Sequence, residues 1–84
     1  MFQVHWVPRA EAELTQIWLA ARDRYAITEA ASRLDSILRV APGSVGESRD
    51  ADERITFNEP LGVLFRVFAD QHLVHVVHVW RTRG

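Results

Sequence analysis

The sequence predicts a single α+β domain, residues 1–84, in which a helical hairpin packs on one face of a mainly antiparallel sheet. Three β-rich segments, at residues 54–58, 63–68 and 73–80, follow one another in the last third of the chain. A strand-like alternation at residues 2–6 opens the sequence, and two amphipathic stretches lie between. Because these elements must share one core, we expect a two-layer sandwich in the order β-α-α-β-β-β.

The three C-terminal segments predict an antiparallel meander. Valine, isoleucine, phenylalanine and threonine recur in them, and such side chains fit a pleated, half-buried surface. The connections at residues 58–62 and 69–72 are short and rich in turn-forming residues, which is typical of antiparallel neighbours. Before the meander, the glycines and mixed charges of residues 42–52 predict a surface loop.

The two helices are predicted from apolar residues that recur at helical spacing. Pro8 suits the first turn of the first helix, where its missing N–H is no loss, and the pattern continues through Arg22. The second pattern runs from about Thr28 to Val40, with Thr28 as the expected N-cap. The short link at residues 23–27 implies that the helices fold back as a hairpin.

Composition limits the class of protein. The chain has no cysteine, which excludes disulfides and thiolate metal sites and fits a reducing compartment. No signal-like segment occurs at residues 1–8, and no apolar run approaches the roughly 20 residues that a membrane helix needs. We therefore expect a cytoplasmic protein without a membrane partner.

The charge balance argues against a protein that binds nucleic acid through its phosphates. The ten basic residues are all arginine, and eleven acidic residues bring the formal net charge to −1. Domains that grip phosphates are usually strongly basic, because each neutralised phosphate releases counterions. Arginine also pairs with carboxylates in a fork geometry, so an acidic protein segment is an equally good partner.

Strand alternation predicts which side chains meet the helices. In the middle strand Val63, Phe65 and Val67 share one face, which is entirely apolar and is expected to face the helices. Residues 64, 66 and 68 then lie on the opposite face, the open face, which no helix is expected to cover. In the last strand we expect His75, Val77 and Val79 inward, with residues 74, 76, 78 and 80 on the open face.

An open face that mixes apolar, aromatic and arginine side chains predicts a docking surface for another macromolecule. The expected partner-binding residues are Leu64, Arg66, Phe68, Val76, His78, Trp80 and Arg83.

The spacing of His72, His75 and His78 would suit a metal site on a helix but not on a strand. On a regular strand the odd spacing sends His75 to the face opposite the other two. We therefore predict no metal site and no cofactor. His75 is interpreted as a structural residue at the edge of the core, and His78 as a surface histidine that could also serve in acid–base chemistry.

Four parts of the sequence form a recognisable set: VHWVPRAEAELTQIWLAA, PGSVGESR, the arginine that opens a strand, and PLGVLFRVFADQHLVHVVHVW. Together they resemble the RelE/ParE superfamily of small bacterial toxins. The order and spacing of these residues carry the resemblance, which covers nearly the whole chain: Trp6, Ala10, Leu14, Pro42, Gly46, Arg54, Phe65 and the valine-rich run at 76–79.

The resemblance implies a RelE-like fold and the toxin of a type II toxin–antitoxin module, neutralised by a cognate antitoxin. Toxins similar to ParE inhibit DNA gyrase, and those similar to RelE cut messenger RNA in the ribosome. We expect a ParE-like toxin that acts by binding, in a bacterial host and in the context of plasmid stabilization. A homodimer through an exposed last strand at the sheet edge is left open.

Two alternatives remain. The first is a RelE-like ribosome-dependent endoribonuclease, for which the resemblance offers Arg54, Arg66, His78 and Arg81 as catalytic residues. Against it, Thr56 stands where a second basic residue would help. Arg54 could instead pair with nearby acids on the sheet rim. The second alternative is a non-toxic protein that keeps the fold and a partner-binding face.

Overall fold

In a computed structural model of the protein, residues 1–49 and 52–82 are described. The elements are β1 (Gln3–Trp6), α1 (Pro8–Ala20), α2 (Arg24–Val40), β2 (Glu47–Ser48), β3 (Glu53–Asn58), β4 (Leu61–Phe68) and β5 (Leu73–Arg81). They form one five-stranded sheet in the order β1-β5-β4-β3-β2. β1 runs parallel to β5, and the other neighbours are antiparallel. The predicted α+β architecture, with two helices on a mainly antiparallel sheet, is confirmed.

The short strand β2 was missed by the sequence analysis. It has only the two residues Glu47 and Ser48, both exposed, so no hydrophobic alternation marks it. Gly46 has a φ of 71° just before this strand. A side chain at Gly46 would collide with the carbonyl oxygen of Ile55 on β3. The glycine therefore allows the chain to turn closely onto the edge of the sheet.

The helical hairpin is confirmed, but its turn is shorter than predicted and Thr28 is not the N-cap. α2 begins at Arg24, and Asp23 is its cap, accepting a 3.0 Å hydrogen bond from the Ala26 N–H. The Thr28 hydroxyl instead donates to the carbonyl oxygen of Arg24, at 3.1 Å. The turn between the helices can be short because Asp23 caps the free N–H groups of α2, so that this helix begins about one turn before Thr28.

The core lies between the helices and the inner face of the sheet. α2 contributes buried residues spaced three and four apart, which form one stripe. Val63 and Phe65 point inward as predicted, and Val67 packs against the core from its margin. The buried apolar residues are Ala10, Ala21, Ile27, Ala30, Leu34, Leu38, Leu61, Val63, Phe65, Val74, Val76 and Val79.

A β-bulge in β5 overturns half of the predicted face assignment. Opposite β4, Leu64 pairs with His78, but its neighbour Phe65 pairs with Val76. Val77 is thus an extra residue, and it shifts the alternation of the strand by one. Val74 and Val76, predicted on the open face, are fully buried at 0% exposure. His75, predicted inward, is on the open face because it pairs with Arg66.

The last strand, whose edge position was left open from the sequence, is covered by β1 over its first half. Residues 3–6 pair with residues 73–76, and the Val7 N–H continues the ladder to the Val76 carbonyl oxygen at 3.1 Å. Pro8 then starts α1, and the ladder stops. Beyond Val76, therefore, no strand within residues 1–49 and 52–82 lies on the β1 side of β5. No helix in the described part of the chain is long and apolar enough to cross a membrane.

Replacing Leu34 with alanine is expected to lower the free energy of unfolding by about 2–5 kcal/mol, since this fully buried side chain would leave a cavity. Leu19 on α1, which is 51% exposed, provides a matched control whose replacement should cost less than about 0.5 kcal/mol. Urea unfolding followed by circular dichroism measures both. Equal losses in the two variants would contradict the assignment of the core.

Candidate partner-binding face

The sheet face that the helices leave uncovered, called the open face here, is organised in cross-strand rows. One polar row crosses four strands, from His5 to His75 to Arg66 to Glu53. Rows that are apolar except for His78 flank it on both sides. On one side Phe68 pairs with Leu73; on the other lie Ile55, Leu64 and His78, followed by Phe57, Gly62 and Trp80.

The aromatic end of the open face depends on a glycine. A Cβ at Gly62 would lie 2.7 Å from Cε2 of Trp80 and 2.9 Å from Cδ1 of Phe57. The absence of a side chain therefore lets the indole lie directly on the strand. Phe57 meets Trp80 edge-on, with ring centroids 6.1 Å apart, and is 58% exposed. Phe57 was missed by the sequence analysis, which assigned no faces to the strand predicted at residues 54–58.

The polar row carries little free positive charge. The Nε atom of Arg66 lies 3.5 Å from Glu53 Oε2, and the arginine side chain is 48% exposed. Such a surface ion pair contributes about 0–1 kcal/mol, but it partly neutralises the arginine. His75 packs between two rings, with centroid distances of 5.0 Å to Phe68 and 5.5 Å to His5. The row thus reads as part of an amphipathic surface.

Glu13, on α1, reaches the bare edge of β5. Its Oε1 accepts a 3.0 Å hydrogen bond from the Val79 N–H, and its Oε2 lies 3.2 Å from Nδ1 of His78. Arg9 is close as well, at 3.9 Å. The carboxylate therefore takes the place of a strand where β1 has ended. Glu13 was not predicted, because it is 65 residues from His78 along the chain.

The pKa of Glu13 is lowered from its ordinary value by these contacts. Partial burial by itself would raise the pKa. The Val79 N–H, the hydrogen bond and charge of His78, and the charge of Arg9 outweigh burial because they all favour the ionised form. Glu13 thus acts as an ionised acceptor at neutral pH.

A depression in the open face adjoins this pair. Its floor and walls combine apolar side chains with the ionisable groups of α1, β3 and β5. The lining residues are Glu13, Arg49, Glu53, Ile55, Leu64, His78, Val79 and Trp80. His78 is 34% exposed at this place, so it is accessible without projecting into solvent.

The four residues offered for nuclease chemistry do not converge. Arg66 and His78 lie on the open face, opposite His75 and Leu64. Arg54 pairs with Phe65 and Arg81 with Leu61, both core residues, so these two arginines belong to the helix-covered face. Alternation had not been applied to Arg54 and Arg81 at the level of the sequence.

Arg54 instead holds the loop that precedes β2. Its Nε donates to the Val45 carbonyl oxygen at 2.8 Å, and its guanidinium NH2 group donates to the Gly46 carbonyl oxygen at 3.0 Å. The pairing with neighbouring acids that was considered from the sequence is not seen among the described residues. The Nε of Arg81 is buried, and no hydrogen-bond partner lies near it among the described residues.

Of the predicted partner-binding residues, Leu64, Arg66, Phe68, His78 and Trp80 lie on the open face. Val76 does not, because the bulge turns it into the core. Its prediction as a contact residue is therefore wrong. Arg83 lies outside the described residues.

Solved structures share this architecture. A chain of the toxin–antitoxin complex RelBE2 from Mycobacterium tuberculosis superposes with a TM-score of 0.77 at 15% identity, over 95% of this chain and 96% of that one. A chain of the chromosomal ParDE toxin–antitoxin system from P. aeruginosa gives 0.67 at 19% identity, over 99% and 98%. The intact E. coli RelBE complex gives 0.68 at 15% identity, over 100% of both chains.

The chain has the RelE/ParE toxin fold. No protein-family model matches the sequence, and no curated protein is significantly similar to it. At these low sequence identities, the likeness to the three structures establishes the fold alone.

The residues that suggested the RelE/ParE fold from the sequence have structural tasks in it. Ala10 and Phe65 are core residues. The Trp6 indole N–H donates to Asp35 on α2 at 3.1 Å, which ties β1 to the helices. Gly46 and Arg54 shape the loop before β2. These residues of the resemblance therefore stabilise the fold.

Replacing Glu13 with glutamine is expected to destabilise the protein by about 1 kcal/mol at neutral pH, because an ionised acceptor is lost. Since the pKa of Glu13 is lower in the folded than in the unfolded chain, its stabilisation is complete above the unfolded pKa of about 4.3 and is lost as pH falls through the folded value. Denaturant titrations between about pH 5 and pH 3 should show the difference shrinking.

The control for this titration is glutamine at Glu47, an exposed carboxylate on β2. Its effect should be small throughout. A Glu13 difference that stayed constant down to pH 3, or grew, would show that the carboxylate charge does not stabilise this edge.

Proposed function

We propose that the protein is the toxin of a type II toxin–antitoxin module, and that it acts by binding a macromolecular target through its open face. The fold supports the module, because solved proteins with this fold come from RelBE and ParDE toxin–antitoxin complexes. The observation that carries the mode of action is the composition of the open face: aromatic and aliphatic rows around an arginine that is already paired with a carboxylate.

The distribution of cations favours a ParE-like binder over a RelE-like nuclease. A site that cleaves RNA has to gather positive charge around one phosphate, where charge develops during the reaction. In this protein Arg54 and Arg81 face away from Arg66 and His78. Aromatic side chains with an arginine among them are instead typical of the anchors of protein interfaces. DNA gyrase is the target that this reading suggests.

A nuclease remains the second candidate on one specific observation. The depression beside Glu13 brings His78 and Arg49 to the same place, and a histidine next to an arginine could serve acid–base chemistry on a phosphodiester. This set shares only His78 with the one that the resemblance offers, and Arg49 and Glu13 stand in place of Arg54, Arg66 and Arg81.

We expect a second partner, a cognate antitoxin that binds and neutralises the protein. The short acidic product of a neighbouring reading frame, with a DNA-binding half, would fit this part. Co-purification of that product with the protein tests the pairing directly. A chain that binds such a product without affecting growth would be the non-toxic protein that keeps the fold and a partner-binding face.

Expression in a bacterial host separates the activities. A ParE-like toxin should arrest growth with translation intact and DNA damage signalling raised. A ribosome-dependent nuclease should yield cleaved transcripts within minutes of induction. Growth without any change, with the folded protein present, would contradict toxicity.

Replacing Trp80 with alanine should abolish growth arrest, because truncating an aromatic anchor of an interface typically weakens binding by about 2 kcal/mol or more, or about 30-fold in affinity. Phe57→Ala tests the same end of the face with less risk to folding, since this ring is 58% exposed. Trp18→Ala on α1 is the matched control and should remain toxic. Circular dichroism checks that each variant is folded. Full toxicity of both open-face variants would contradict the docking model.

A further inference from the structure

We propose that Glu13 is a positioning residue that fixes His78 as the Nδ1–H tautomer, so that Nε2 becomes a proton acceptor in the depression of the open face. The ligand group that this site takes is an O–H or N–H donor of a macromolecular partner. The statement about the ligand rests on the function proposed above. The statement about the tautomer concerns the free protein and can be tested without a target.

The proton on Nδ1 follows from the chemistry of the pair. An ionised carboxylate has oxygens that accept hydrogen bonds and no proton to donate. Because Glu13 Oε2 lies 3.2 Å from Nδ1 of His78, the proton between them has to be on the imidazole. A neutral imidazole carries one N–H, so Nε2 is left with a lone pair.

The position of the carboxylate is itself fixed from two sides. Its other oxygen, Oε1, accepts the Val79 N–H at 3.0 Å, and Arg9 lies 3.9 Å from Oε2. Glu13 cannot rotate away from His78 without leaving the Val79 amide unpaired beside the core, where Val79 is only 4% exposed. The strand edge and the histidine are therefore held by one side chain.

The other histidines provide a contrast within the same chain. In residues 1–49 and 52–82, His5, His72 and His75 make ring contacts with aromatic or histidine neighbours and no contact with a carboxylate. Only His78, among these residues, forms a histidine–carboxylate pair. The environment thus distinguishes one imidazole from three.

The Glu13–His78 pair can hold a hydrogen-bond acceptor in one place, which a freely rotating surface histidine does poorly. When a donor group enters the depression, Nε2 accepts its hydrogen bond at a fixed point. If the group gives up its proton, the proton moves to Nε2, and the imidazolium that forms is stabilised by the adjacent carboxylate. No covalent bond to the protein forms in this step. Trp80 and Leu64 line the same depression and shield it from part of the solvent.

Long-range proton–nitrogen spectra of the free, ¹⁵N-labelled protein test the tautomer. The spectra are recorded at alkaline pH, and rings whose nitrogen shifts show them to be neutral are compared. His78 should then show a protonated Nδ1 and an unprotonated Nε2, whereas the other three histidines should show mixtures. A His78 spectrum that matches those of the other histidines would overturn the proposal, and this result needs no variant.

Glu13→Gln separates positioning from a structural role. Its amide oxygen can still accept the Val79 N–H, so hydrogen exchange at that amide should remain slow. Its amide group no longer demands a proton on Nδ1, and the His78 signals should move to the mixture of the other rings. Retention of the pure Nδ1–H form in this variant would contradict a positioning role. Loss of toxicity is not the readout, so a wrong target or a non-toxic chain leaves the test intact.

Discussion

One extra residue in β5 governs both faces of the sheet. Because Val77 interrupts the alternation, Val74, Val76 and Val79 all point to the helices, which a regular strand could not achieve at that spacing. The same interruption places His75 and His78 together on the opposite side. The core and the open face are thus completed by a single irregularity, and the separation of apolar from functional side chains depends on it.

The half-length β1 is the second constraint, and it explains the position of Glu13. A strand that extended past Trp6 would pair with the rest of β5 and leave no room for a side chain at the Val79 amide. Since Pro8 starts α1 at this point, the helix returns along the bare edge and supplies a carboxylate where a backbone carbonyl would otherwise bind. One carboxylate satisfies the backbone and orients a histidine at the same time.

Periodicity was sufficient for the architecture and insufficient for the site. The helices, the meander and the inward set of β4 follow from patterns of 3.6 and 2 residues, and the structure confirms them. The two-residue β2, by contrast, has no pattern to detect, and Asp23 outcompeted Thr28 as a cap through geometry that spacing alone does not show. The errors on Val76 and His75 share one cause, because strict alternation cannot register a bulge. Glu13 belongs to the site through contacts between distant segments.

The choice between a binder and a nuclease therefore rests on a few side chains. Arg54 occupies the position that the resemblance marks as basic, and its guanidinium group donates hydrogen bonds to two loop carbonyl oxygens. A residue that stabilises the fold can be shared by proteins with different activities, since folding requires it in all of them. What differs between a binder and a nuclease on this fold has to lie in side chains that the fold leaves accessible to a second molecule. In this chain the open face offers such side chains, since Gly62 makes room for Trp80 and Glu13 holds His78 by one ring nitrogen only.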